Sequence, residues 1–156
     1  MKIRSLALIL VAAASLGIVA KAVASDSAAL IPAVKSVYEH YFKIQAQLAQ
    51  DSLKGVDEHA GAIAKAVQGD TTKMLPSSVA GQADKLAKAK DLGAAREAFQ
   101  PLSDSLIKYL ADHKVPKGTY HKVFCSMVNA NWLQADTKIQ NPYLGKSMPD
   151  CGEIKE

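Results

Sequence analysis

The sequence predicts an all-α protein: a four-helix up-and-down bundle with an irregular C-terminal cap that has room for a short strand. Three observations predict it. Apolar residues recur at alternating steps of three and four along four stretches. Short polar breaks containing Gly or Pro separate those stretches. After Pro116 and Gly118 the helical period ends, and turn-forming residues with scattered aromatics take over.

The first stripe is Leu30, Val34, Val37, Tyr41, Ile44 and Leu48, which keeps one face of a helix apolar. Tyr38 and Phe42 extend that face, so they read as core. Asp51 or Ser52 is placed to cap the next helix, because a short side-chain oxygen can accept from the free amides of a first turn. The second stripe is Val56, Ala60, Ile63 and Val67, and Gly69, Asp70 and Pro76 break it. Ser77 or Ser78 is placed to cap a third, Ala-rich helix through Val79, Ala83 and Leu86. Asp91 is placed to cap the fourth, with Leu92, Ala95, Phe99, Leu102, Leu106 and Tyr109. Pro101 falls inside that stripe without shifting its phase, which predicts a kinked helix and not two separate ones. Arg96 is expected to pair with a carboxylate on a neighbouring helix. In "TYHKVFCSMV" a loose alternation allows a short strand. The segment from Trp132 to Glu156 reads as loop with aromatic anchors.

At the other end, Lys2 and Arg4 precede an uncharged apolar run from Leu6 to Ala20, and Ala22-Val23-Ala24 is a small-x-small cleavage signal. That is the layout of a secretory signal peptide over residues 1–24. The run of about 15 residues is short of the roughly 20 that a bilayer span needs. Residues 25–156 then form one helical-bundle domain, with a Cys/Met region from about 117 to 156. A periplasmic or secreted location is expected. Three of the 19 basic residues and none of the 15 acidic ones fall in the signal, so the formal charge drops from +4 for the whole chain to near neutrality after cleavage. Nothing in that balance favours nucleic acid or an anionic membrane, and a monomer is the expectation.

The chemistry concentrates in sulfur. The two cysteines, Cys125 and Cys151, each have a methionine close by: Met127 in "CSM" and Met148 in "MPDC". Thiolates and thioethers are soft donors that suit Cu(I) or Ag(I). A strand-like step would point Cys125 and Met127 to one face, and a turn would bring Met148 to Cys151. His121, four residues before Cys125, is a further candidate ligand. The competing reading is a Cys125–Cys151 disulfide, natural in an oxidising compartment. It would close a loop of about 27 residues and stabilise by roughly 3 kcal/mol. Sulfurs near 2 Å would mean a disulfide, and sulfurs at roughly 3.5–4.5 Å with a methionine sulfur converging on them would leave space for an ion, whereas methionines turned away from the cysteines would count heavily against a metal. The residues alone leave both open.

His40 and His59 read as solvated or capping side chains. His113 suits the end of the fourth helix, where a cation complements the dipole. No G-x-S-x-G, H-E-x-x-H, Walker loop, G-x-G-x-x-G, C-x-x-C or C-x-x-C-H occurs. No enzymatic activity is therefore expected.

"YFKIQAQLAQDS", "AREAFQPLSDSL", "FCSM", "NW" and "IQNPYLGKSMPDCGE" together resemble an uncharacterised exported bacterial domain family. That family is found alone or fused to periplasmic adaptor subunits of heavy-metal efflux pumps. The resemblance runs from about Tyr38 to Glu153, and its most specific piece is N-P-Y-x-G-x-x-M-x-x-C-G. One position departs: family members usually have Pro where this chain has Ser126. The resemblance implies handling of copper or silver and a heavy-metal efflux adaptor as partner. Cys125, Met127, Met148 and Cys151 would then be the ligands, with Trp132 or Tyr143 shielding the ion.

Overall fold

The computed structural model describes residues 32–114 and 120–155. The proposed signal segment, Leu30, Pro116 and Gly118 lie outside the described residues. Four helices follow one another: α1 (Pro32–Ala49), α2 (Val56–Gln68), α3 (Ser77–Ala87) and α4 (Leu92–Asp112). Every described residue of the four sequence stripes is buried except Leu92, which is partly buried and packs on the core. None of the described helices is long and apolar enough to cross a membrane.

The connections obey different chemistry from that expected at two of three helix starts. Asp51 does not cap α2. It adopts a left-handed φ of 53° just past α1, and the Ser52 amide reaches back to the Gln47 carbonyl at 3.0 Å. That is a Schellman closure of α1, with an aspartate in the position that usually falls to glycine. The start of α2 is Gly55, also left-handed at φ 72°. α3 begins after Pro76, and neither Ser77 nor Ser78 caps it. Asp91 does cap α4, its carboxylate accepting from the Ala94 amide at 2.8 Å. α4 runs unbroken through Pro101.

The irregular cap is in fact a small antiparallel sheet. Strands β1 (His121–Cys125), β2 (Ala130–Gln134) and β3 (Glu153–Lys155) lie in the order β2-β1-β3. The bundle is also less closed than expected. α1, α2, α3 and α4 pack in sequence, but α1 and α4 touch little, and β2 packs on both of them. One apolar core runs from the helices into Val123, Cys125, Trp132 and Leu133 of the sheet.

The free edge of β2 would expose backbone groups, and two tyrosine hydroxyls close it. Tyr41 accepts from the Leu133 amide at 3.0 Å, and Tyr143 donates to the Asn131 carbonyl at 2.9 Å. Tyr41 also meets Ser103 of α4 at 2.7 Å and stacks on Phe99 at 5.0 Å. It therefore ties α1, α4 and β2 together. Burial pushes its phenol far above the ordinary range, so the hydroxyl stays protonated. The Tyr38 hydroxyl donates to the Leu106 carbonyl at 2.8 Å, a second link from α1 to α4.

Candidate functional site

The register of the sheet decides where the sulfurs go. Cys125 ends β1 and pairs with Ala130, while Val123 pairs with Trp132 on β2 and Ile154 on β3. Cys151 lies two residues before β3 begins. Pairing of β3 with β1 therefore delivers Cys151 to the end of β1 that carries Cys125. The two thiols are free, and their Sγ atoms stand 2.7 Å apart. Cys125 is buried and Cys151 is half-buried. The separation lies between the about 2.05 Å of a disulfide and the about 4 Å that two thiolates keep around one shared ion. Either end state is one side-chain adjustment away.

The "NPYLG" segment holds this arrangement in place. Asn141 is fully buried. Its amide nitrogen donates to the Cys151 carbonyl at 2.6 Å, and its side-chain oxygen accepts from the amides of Tyr143 and Leu144 at 2.8 and 2.9 Å. Its own backbone amide reaches the Pro149 carbonyl at 2.8 Å. One side chain thus fixes both ends of the loop that presents Cys151. The Pro142 carbonyl accepts from Arg96 Nε at 2.8 Å. Arg96 also binds the Leu48 carbonyl at 3.0 Å and the Asp51 carboxylate at 2.5 Å. The expected carboxylate partner therefore sits just past α1, and the arginine joins α4, the end of α1 and the C-terminal loop. Gly145, at φ 55°, passes so close to Asp51 and Arg96 that a Cβ there would stand 2.7 Å from Asp51 Cγ. The other Asp51 carboxylate oxygen accepts from the Lys146 amide at 3.1 Å.

Gly152 makes a second close approach. A Cβ there would come within 2.7 Å of Trp132 Cη2 and 2.8 Å of Val123 Cγ1. Trp132 is fully buried, with its indole N–H on Gln134 at 3.1 Å, and it meets Tyr143 edge-on at 6.0 Å. Trp132 thus stands beneath the residue that follows Cys151, with Tyr143 against its edge.

The environment separates the two thiols electrically. Burial opposes ionisation of Cys125, but hydrogen bonding from Cys151, from the Val128 and Met127 amides and from the Asn141 side chain outweighs it. Its pKa is therefore held below the ordinary thiol value. Cys151 is raised, first by its hydrogen bond to Cys125 and then by burial and by the negative charges of Cys125 and Asp150.

The methionines are placed differently from the expectation. Met127 is not on a strand facing with Cys125; it lies in the β1–β2 turn, where Asn129 takes a left-handed φ of 48°. It is 64% exposed, and Met148 is 39% exposed. The turn expected between Met148 and Cys151 is present, with the Cys151 amide on the Met148 carbonyl at 3.3 Å. His121 begins β1 and pairs with Gln134. It is four residues from Cys125, about 13 Å along a strand, and the sheet keeps it apart from the thiols. Among the described residues, no three side chains of His, Cys, Asp or Glu gather where they could hold an ion.

The sequence reading missed one constellation. His40 and His59 are partners of each other, with Nδ1 atoms 3.1 Å apart. His113, by contrast, sits at the end of α4 as expected, with its ring stacked on Tyr109 and Nδ1 at 2.9 Å from the Tyr109 carbonyl.

A family model described as "Protein of unknown function (DUF3347)" matches residues 37–118. That is more than half of the chain, which therefore belongs to this family. The match runs from within α1 through α4 and stops short of the sheet and its thiol pair. No curated protein and no solved structure matches the chain.

Proposed function

We propose that this DUF3347 member is a periplasmic carrier of a soft monovalent ion, Cu(I) or Ag(I), which it buffers or hands over without chemical turnover. The observation that carries the reading is the meeting of the only two thiols at one end of the sheet, with Met127 and Met148 exposed on the adjoining turns. Soft sulfur donors select such ions. Hydrogen bonds from Cys151, the Val128 and Met127 amides and Asn141 favour the ionised form of Cys125, and the ion would displace the remaining thiol protons. The thiols would open to about 4 Å, a movement that half-buried Cys151 can make. Trp132 and Tyr143 would keep water from the inner side, while an exposed thioether would offer a route for transfer to a receiver. The resemblance of the C-terminal motif to domains fused to heavy-metal efflux adaptors supports such an adaptor as that receiver. His121 is too distant to take part in this site.

An anaerobic Cu(I) titration of the reduced protein against a chromophoric chelator tests this. One tight equivalent is expected, lost in Cys125→Ser and weakened in Met148→Leu. Binding no tighter than that of a free dithiol, with no dependence on Met148, would overturn it.

The 2.7 Å separation favours one other reading, a structural or protein-interaction domain whose Cys125–Cys151 disulfide staples β3 to β1. Thiol counting on protein isolated without reductant distinguishes them: zero free thiols supports the staple, two supports the carrier.

A further inference from the structure

The His40–His59 pair lies at the α1–α2 contact, on helices that carry neither thiol. Each histidine neighbours a buried core position on its own helix, Tyr41 beside His40 and Ala60 beside His59. The helices are therefore anchored where the imidazoles meet. Both rings are half-buried, with centroids 5.2 Å apart and planes inclined at 40°. Their Nδ1 atoms are 3.1 Å apart, so one ring donates to the other. That spacing is also the bite of two imidazoles bound to one ion. At metal–nitrogen distances of about 2.1 Å, it corresponds to a ligand–metal–ligand angle of about 95°.

We propose that His40 and His59 form a divalent metal site, distinct from the thiol pair, that takes Cu(II) in preference to Zn(II). Imidazole suits both ions. Cu(II) stands highest in the divalent affinity order and favours angles near 90°. Binding requires both rings as Nε2–H tautomers, so the shared Nδ1 proton moves to Nε2 of its own ring and none is released. The charged groups around the pair are Glu39 and Glu58, which favour a cation, and Lys43, which opposes it. Water would fill the remaining positions.

The test uses Cys125→Ser/Cys151→Ser protein, which removes the sulfur donors and makes the outcome independent of Cu(I) carriage. Cu(II) is titrated at pH 7.5 and followed by electron paramagnetic resonance. The expected result is one saturable equivalent with coupling to two nitrogens. His59→Gln or His40→Gln should reduce this to one nitrogen and weaken binding by at least about tenfold, with unchanged circular dichroism. His113→Gln and His121→Gln should change nothing. Two-nitrogen coupling that survives both His40→Gln and His59→Gln, or that is lost with His113 or His121, would overturn the proposal.

Discussion

Replacing Gly145 with alanine tests whether the C-terminal loop is locked to the helices through Arg96 and Asp51. The backbone there has φ 55°, and a left-handed conformation costs an L-residue about 1–2 kcal/mol. The new methyl would also stand 2.7 Å from Asp51 Cγ and overlap the Asp51 carboxylate and the Arg96 guanidinium. Both side chains would have to leave the positions in which they meet. Arg96 would then release the Pro142 and Leu48 carbonyls. A loss of at least about 2 kcal/mol follows, which for a domain of this size lowers Tm by roughly 6–10 °C. Thermal and urea unfolding followed by circular dichroism read it directly. The interaction is isolated by repeating the change in Asp51→Ala protein, where half of the overlap is already gone. Gly145→Ala should cost less in that background, a non-additivity expected of groups that share one network. If Gly145→Ala falls within about 0.5 kcal/mol of wild type, or if the two changes simply add, the lock described here is wrong.

Two further outcomes are expected. Asn141→Ala would strip partners from the Cys151 carbonyl and two part-buried loop amides, and should destabilise by about 2 kcal/mol in urea unfolding; a change under about 0.5 kcal/mol would show that the loop holds without it. Acid should weaken the fold. Asp51 is held below the usual carboxylate range by Arg96 and by the Lys146 amide, and Asp70 by the Thr72 hydroxyl and by the amides of Leu75, Met74 and Thr72. The folded state therefore binds fewer protons than the unfolded one. Its stability is fully present above the unfolded carboxylate pKa of about 4 and is lost as pH falls through the folded values. Urea midpoints measured from pH 6 to pH 3 should fall, and Asp70→Asn should flatten the slope; an unchanged slope would sink the assignment.

The helices were legible because their signal is local. Val34, Val37, Tyr41, Ile44 and Leu48 recur at helical spacing whatever the rest of the chain does, and all are buried. Helix starts were less legible, because competition for capping groups is tertiary. Asp51 has the chemistry of a cap, but Arg96, distant in sequence, takes its carboxylate. β2 was hidden for a related reason. Strand recognition relies on alternation, yet Trp132, Leu133 and Gln134 are all buried in succession, because α1 and α4 cover one side and the C-terminal loop the other. β3 spans three residues, too few to carry a period. In the candidate site, residue types revealed the sulfur pair, while its convergence depended on the β1–β3 register. The place of Met127 in a turn and the His40–His59 contact were not readable from spacing along the chain.

Trp132 is the only tryptophan in the sequence, and it lies beneath Gly152, directly after Cys151. Its indole is shielded from water and joined to the protein by a single hydrogen bond to Gln134. An excited indole in such surroundings responds to sulfur, to heavy ions and to any shift of the backbone above it. The fold has therefore placed its one indole beside the group whose chemical state matters most. Oxidation, metallation or detachment of β3 can each be followed in the native protein by light emission, without attaching a dye.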